Sequence, residues 1–300
     1  MRIAVLTNVR TDTFFLALWV AHYGNLFGRE NLHVMLDGDD WTPQVDLTGV
    51  TIHVVPDVPR DRQLRLGFTS RWQSAQATRL LGAGYDLVLR TDIDELIAAD
   101  PATGMDLPAL LATLPAGAAA AALGFDVIQS PDEAALDPAT PFLAQRRNAV
   151  LTREFCKLVA VRRPVRWVGG FHRARHVPID IPVGLLLFHL ALADRGLAED
   201  RIQQRKTAAE HATQGAHIRD RLAVFDEIAQ TTARDLDDIA APTRLQLLDA
   251  LPSRSGPHLG RITDGNVGRG HHVRLPDRLI PLLPAPAAAH GLFLRTEEAR

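Results

Sequence analysis

The stretch 85-YDLVLRTDIDELIAAD-100 joins a short run of Leu and Val to three carboxylates within four positions, Asp92, Asp94 and Glu95. Leu87 to Arg90 reads as a buried strand, and the residues after it decide what kind of fold this is. Thr91 with an acid three positions later has the form of a capping box at a helix start. On an extended strand end, by contrast, Asp92 and Asp94 share a face while Ile93 turns into the core. Two carboxylates aimed at one point raise each other's pKa unless a cation joins them. Oxygen ligands suit Mg²⁺ or Mn²⁺, whose shell is completed by water and substrate phosphates. The stretch therefore predicts a strand end where a divalent cation and a diphosphate meet, with Thr91 free to cap at the same time.

Working outward, the preceding residues alternate between strand and helix. Ile3 to Thr7 reads as a strand, and Asp12 as the cap of a helix whose Phe15, Trp19, Tyr23 and Leu26 recur at helical spacing before Gly28 ends it. Leu32 to Leu36 and Val50 to Val55 follow as strands, then an amphipathic helix over 70–82. Such βα alternation predicts an α/β fold with a mostly parallel sheet flanked by helices, and ligands at the carboxyl ends of its strands. Leu107 to Phe125 holds nineteen residues without a charge. Pro108, Pro115 and Gly117 interrupt it, so it reads as a helix over 106–114 and a strand over 118–124, not as a membrane span. Ser130 to Pro141, rich in proline and acids, is expected to be mobile. Lys157 to Val161 and Val183 to Phe188 read as further strands. Helix formers dominate 195–250, with Ile218, Leu222, Phe225 and Ile228 on one face. The organisation expected is a catalytic domain over 1–195 with a C-terminal helical and loop extension, 196–300, packed on it.

The 33 basic and 35 acidic residues nearly cancel, which gives no field to attract nucleic acid. A transmembrane segment is not expected, although peripheral membrane association stays open. Cys156 is the only cysteine, which excludes an intrachain disulfide and a multi-cysteine zinc site and fits a reducing compartment. The apolar run before Arg10 is too short for a secretory signal, and a cytoplasmic location is expected.

"LVLRTDIDELI" resembles the DxD region of GT-A glycosyltransferases, in the family-2-like and family-92-like group whose motif reads D-x-D-E. Other segments follow in that group's order. The opening "IAVLTNVRTDTFFLALWVAHYGNLFGRENLHVMLDGDD" is similar to its strand, its L-x-x-W-x-x-H/Y helix (Leu16, Trp19, His22) and its second strand. "KLVAVRRPVRWVGGFHRARH" and "LLLFHLALADRGLAEDRIQQRK" are similar to its K-x-I-x-R…G-x-H and L-x-H segments. The resemblance covers roughly residues 1 to 206. It implies a GT-A, Rossmann-like fold and a transferase that moves a sugar from a nucleoside diphosphate sugar to a saccharide or other hydroxyl acceptor with inversion. It also implies Mn²⁺ or Mg²⁺ as cofactor.

Carried onto this chain, the resemblance places Asp92 at the ribose or in the metal shell and Asp94 on the metal bridging the diphosphate. It places Asn8 and Asp37 at the donor, with Asp39 and Asp40 beside Asp37, while Lys157, a lysine at a strand start in a chain that writes arginine almost everywhere else, is a candidate contact for the donor phosphates or for the acceptor. A histidine from the later segments is expected to complete the metal shell. We carry His189 forward for that role and His172 for the catalytic one, although the sequence does not decide between them. Asp126, at another strand end, is a second candidate for the general base. His172 and His176 stand at zinc-binding spacing, but no third ligand follows. Val9-Arg10 departs from the group, whose members often carry an acid there, and leaves base recognition open. The Gly-rich "DGNVGRGHH", 264–272, is a candidate closing loop. Two rival readings are a sugar-phosphate nucleotidyltransferase, which wants an early Gly-rich basic loop that "TNVRTDT" lacks, and a non-catalytic nucleotide- or glycan-binding protein.

Overall fold

A computed structural model describes residues 1–152, 154–168, 170–207, 222–250 and 270–290. Its first strand, β1 (Ile3–Val9), is buried almost throughout. Asp12 caps α1 (Thr13–Phe27) by accepting from the Phe15 N–H, and Gly28 ends the helix at φ 84°. A residue with a Cβ is strained in that left-handed conformation. β2 (Leu32–Asp37) and β3 (Thr51–Val55) follow, then α2 (Arg62–Gly82), which starts earlier than its apolar periodicity predicts because Asp61 caps it through the N–H groups of Gln63 and Leu64.

The strands form two six-stranded sheets. In the first the order is β3-β2-β1, then β4 (Leu87–Arg90), β9 (Leu158–Val161) and β6 (Ala119–Ala121). The second holds β5 (Glu95–Ala99), β7 (Leu123–Ile128), β8 (Asn148–Leu151), β10 (Leu185–Leu192), β11 (Arg234–Asp235) and β12 (His271–Arg274), in the order β11-β12-β8-β7-β10-β5. The chain is thus a mixed α/β protein, and the mostly parallel sheet expected from the sequence needs correction. Five pairings are parallel and five antiparallel. The βα alternation that predicts parallel pairing ends at β4, and only β3-β2-β1-β4 is a continuous parallel block.

The segment after β4 departs from both readings of the opening stretch. Residues 91–94 cross from the first sheet to the second as a turn, and Glu95 begins a strand, not a helix. Leu96 and Ile97 pair with Phe188 and Leu187 of β10 and are buried, and that burial outweighs the helix-start signal. Glu95 still caps in a local sense: its Oε2 accepts from the Asp92 N–H at 2.9 Å.

The helices expected from the sequence include α3 (Leu107–Ala112), followed by β6 and β7 where one strand is predicted. Gly124 of β7 lets the backbone of Phe155 approach where a Cβ would overlap it. Ser130 to Pro141 is fastened by side chains: Glu133 accepts from the N–H groups of Ser130 and Arg147, and Arg146 donates to the Ala134 carbonyl. α4 (Phe142–Gln145) closes that loop, and α5 (Arg195–Thr207) follows β10. Phe225 and Ile228 pack against Ile128, Val150 and Leu192, with Leu222 beside them. Ile218 lies outside the described residues, as do 264–269 of the Gly-rich stretch, whose last residues His271 and His272 belong to β12 and are buried. No helix among the described residues is long and apolar enough to cross a membrane.

α1 also buries His22, whose Nε2–H donates to the Ile97 carbonyl at 2.9 Å. Burial pushes its pKa down to about 4 from the ordinary 6.5. The unfolded chain therefore takes up a proton that the folded chain refuses as pH falls from 6.5 to 4, and stability falls over that window. The expected contribution is about 3 kcal/mol. Urea unfolding at pH 7 and at pH 4 measures it, and His22→Leu is expected to remove that part of the pH dependence. An equal dependence in the variant refutes the assignment.

Candidate active site

The 91–94 turn is held from two sides. Beneath it, β1 and β4 run side by side with Leu6 opposite Arg90, and the Thr91 N–H donates to the Leu6 carbonyl at 3.1 Å. From α1, Trp19 Nε1–H donates to Thr91 Oγ1 at 2.8 Å, and the Tyr23 hydroxyl donates to the Glu95 carbonyl and accepts from the Ile97 N–H. The L-x-x-W-x-x-H pattern thus has a mechanical role, since Trp19, His22 and Tyr23 all bond the segment that carries the carboxylates.

Asp92 and Asp94 do not face one point. Because the chain turns between the sheets, each enters its own charge cluster. Asp92 meets the Arg90 guanidinium with Oδ1 and the Lys157 ammonium with Oδ2. Lys157 Nζ also lies 2.5 Å from Glu95 Oε1, a charge contact without hydrogen-bond alignment. Glu95 is fully buried while the Asp92 side chain keeps 34% of its surface exposed. Burial alone would raise the pKa of Asp92, but Arg90 and Lys157 outweigh it and hold the carboxylate well below its usual range. For Glu95 burial prevails, and its pKa is raised. Arg90 Nε donates to Gln73 Oε1 at 2.7 Å, and Gln73 Nε2 donates to Asn8 Oδ1 at 2.7 Å. The guanidinium carbon of Arg90 lies 3.2 Å from the centre of the Phe171 ring.

The second cluster gathers around Asp94. Its Oδ2 accepts from Arg201 Nη2 at 2.9 Å and lies 3.6 Å from His189 Nε2. Arg201 also pairs with Asp12 at 2.7 Å. Nδ1 of His189 is 2.7 Å from Asp126 Oδ1, and its ring stacks on Phe155 with centroids 4.1 Å apart. Strand register makes this row: His189 of β10 is opposite Asp126 of β7 on one side and Glu95 of β5 on the other. Burial would lower the pKa of His189, yet Asp126 and Asp94 raise it.

Such a donor set can be tested against a divalent ion. An imidazole whose Nδ1–H is held by a carboxylate presents Nε2 as a metal ligand, and Asp94 Oδ2 stands across from it. Arg201 Nη2 already lies against that oxygen at 2.9 Å, so the cation these two donor atoms face is one that the chain itself supplies. Asp92, expected in the same shell, has both oxygens committed to Arg90 and Lys157. Among the described residues, no group of three or more His, Cys, Asp or Glu stands ready to hold a metal ion unaided.

Of three other expected residues, His172 and Asn8 lie by the first cluster and Asp37 does not. His172 is close enough to Lys157, Asp92 and Arg90 to feel their charge; burial first, then Lys157, push its pKa down to about 4. Asn8 reaches Asp92 through Gln73 and Arg90. Asp37, at the end of β2, is held instead among Arg10 and Arg65, the same Arg10 that pairs with Asp40. Sequence reasoning passed over Arg90, Gln73 and Arg201, and it read Asp12 only as a helix cap. The one available signal was a buried arginine at the end of an otherwise apolar strand, since a buried charge demands partners.

No protein-family model matches the chain, and no curated protein does. Among solved structures, the chain is similar to the mannose-1-phosphate geranyltransferase from Thermus thermophilus, with 12% identity over 93% of this chain and 76% of that one. The TM-score is 0.29, an overlap too small to bear on fold or function. The resemblance to GT-A transferases therefore rests on the motifs alone.

Proposed function

We propose that the chain is a glycosyltransferase that moves a sugar from a nucleoside diphosphate sugar to an acceptor hydroxyl with inversion, and that the reacting groups meet over the 91–94 turn. What supports the reading is the alignment of Asp94, His189 and Asp126, a carboxylate facing an imidazole whose far nitrogen is bound by a second carboxylate. Asp94 and His189 are the residues that would hold Mn²⁺ or Mg²⁺. When bound, the ion supplies Lewis-acid stabilisation of the charge that develops on the departing diphosphate.

The chain's own residues position the partners. Asp92 is the partly exposed member of its cluster and takes the donor ribose, while Lys157 adds positive charge beside the phosphates. Asn8 and Asp37, near the carboxyl ends of β1 and β2, flank the nucleoside, as ligands do at such strand ends. His172 is neutral across the physiological range and accepts the proton of the acceptor hydroxyl, with a driving force reduced by its depressed pKa.

Thermal-shift measurements with UDP-, GDP-, CMP- and dTDP-sugars, each with and without Mn²⁺, test this reading. One nucleotide class is expected to raise Tm, and to do so more with Mn²⁺. If no donor stabilises the protein with any metal, the transferase reading fails.

A further inference from the structure

α2 carries a glutamine whose two polar atoms are both engaged. Gln73 is fully buried, its Oε1 accepts from Arg90 Nε–H, and its Nε2–H donates to Asn8 Oδ1, each at 2.7 Å. The nitrogen and oxygen of a carboxamide are alike in shape, so their order in such a chain is fixed only by a partner of known polarity. Arg90 is that partner, because a guanidinium has donors and no acceptor. Gln73 must turn its oxygen toward Arg90 and its nitrogen toward Asn8, and Asn8 must answer with its oxygen. What Asn8 has left is Nδ2, a donor. The residue is only half-buried, and that nitrogen meets no acceptor among the described residues.

Asn8 stands where a sheet of this kind takes a ligand. It lies on the face of β1 that also carries Leu6, two residues beyond the last pairing with β4 at Arg90. The chain order of the sheet reverses between β1 and β4, and crevices at such switch points bind ligands. We infer that the relay from Arg90 through Gln73 to Asn8 sets the nucleotide preference of the site. Asn8 donates to a carbonyl oxygen of the base, O4 of uracil or O6 of guanine, and disfavours cytosine and adenine, whose amino groups at the same positions are donors. An asparagine that reads adenine uses its oxygen and its nitrogen together, and here Gln73 takes the oxygen. The inference rests on the reading that Asn8 flanks the nucleoside of the donor. Gln73 is a positioning residue in it, acting only through Asn8, and no metal ion has a part.

Calorimetric titration of the full chain with UDP, CDP, GDP and ADP under one set of conditions tests this. The wild type is expected to bind UDP at least about tenfold more tightly than CDP, or GDP than ADP, because the amino base leaves the Asn8 donor unpaired. Gln73→Glu sets one acceptor against Arg90 and a second against Asn8, whose amide then turns its oxygen outward. Asn8→Asp presents a carboxylate oxygen in the same place. Each is expected to lower the preference for the oxo base at least about tenfold. The added charge acts on a diphosphate that both nucleotides share, so it cancels from the ratio. A ratio near one in the wild type, or a ratio that neither variant moves, overturns the inference. Should Gln73→Glu not fold, Asn8→Asp decides. Without nucleotide, the side-chain NH₂ signal of Asn8 is expected to exchange rapidly with water and that of Gln73 to be protected, and the reverse order overturns the inference whatever binds. The two readings fail separately. Binding of none of the four nucleotides removes the donor site and this inference with it, while equal binding of oxo and amino bases removes only the role of Asn8.

Discussion

Asp94→Asn is expected to lower sugar transfer at saturating Mn²⁺ by about 10³-fold, the effect of losing roughly 4 kcal/mol of charge stabilisation at the leaving group. Asn has nearly the same shape as Asp, and Leu190 N–H still donates to the backbone carbonyl of residue 94. Folding is therefore expected to persist, which separates loss of chemistry from loss of structure. Steady-state rates across a Mn²⁺ series, with a thermal unfolding curve for each protein, decide the matter. Turnover that stays near the wild-type value would take Asp94 out of the reaction. Asp92→Asn makes an instructive contrast: Arg90 and Lys157 hold both oxygens of Asp92, so this change is expected to act mainly through donor KM.

Lys157→Met carries the largest expected effect on stability. The ammonium lies 2.5 Å from Glu95 Oε1, and the Glu95 side chain has no exposed surface. Removing one partner of a buried ion pair typically costs about 3–5 kcal/mol, because the other charge stays behind uncompensated. The sign of the pH dependence follows from Glu95, whose folded pKa is already raised by burial and rises further without Lys157. The folded variant then binds a proton that the unfolded chain has released above about pH 4.5. Its stability is greatest below that pH and declines as pH rises toward the folded pKa. The deficit relative to wild type is therefore expected to be small at acid pH and full at pH 7.5, as read from urea midpoints. Lys157→Met combined with Glu95→Gln removes both charges and is expected to recover most of the loss. If the double variant is as unstable as the single one, the loss lies in packing, not in charge.

Much of the local structure was legible. The cap at Asp12, the end of α1 at Gly28 and the bounds of β4 follow from short-range rules of capping, backbone conformation and apolar spacing. These rules act within a few residues and need no partner from elsewhere in the chain. Where Leu96 and Ile97 meet β10, long-range burial overrode a capping signal that was sound by itself. The same limit applies to the site. Asp92, Asp94, Lys157 and His189 are recognisable as residues of the right chemistry, but nothing in their spacing says that Asp92 and Asp94 part company between two sheets.

What the sequence by itself determined is therefore the succession of strands and helices from β1 to β4 and the location of the carboxylates at the end of β4. What only the tertiary structure decided is the pairing of charges: Lys157 on Asp92 across 65 residues, His189 on Asp126 across 63 and Arg201 on Asp94 across 107. Burial is the physical reason. Once water is excluded, each carboxylate requires a cation or a donor at contact distance. Which one it finds is set by sheet register and helix packing, which bring together residues that no local rule connects.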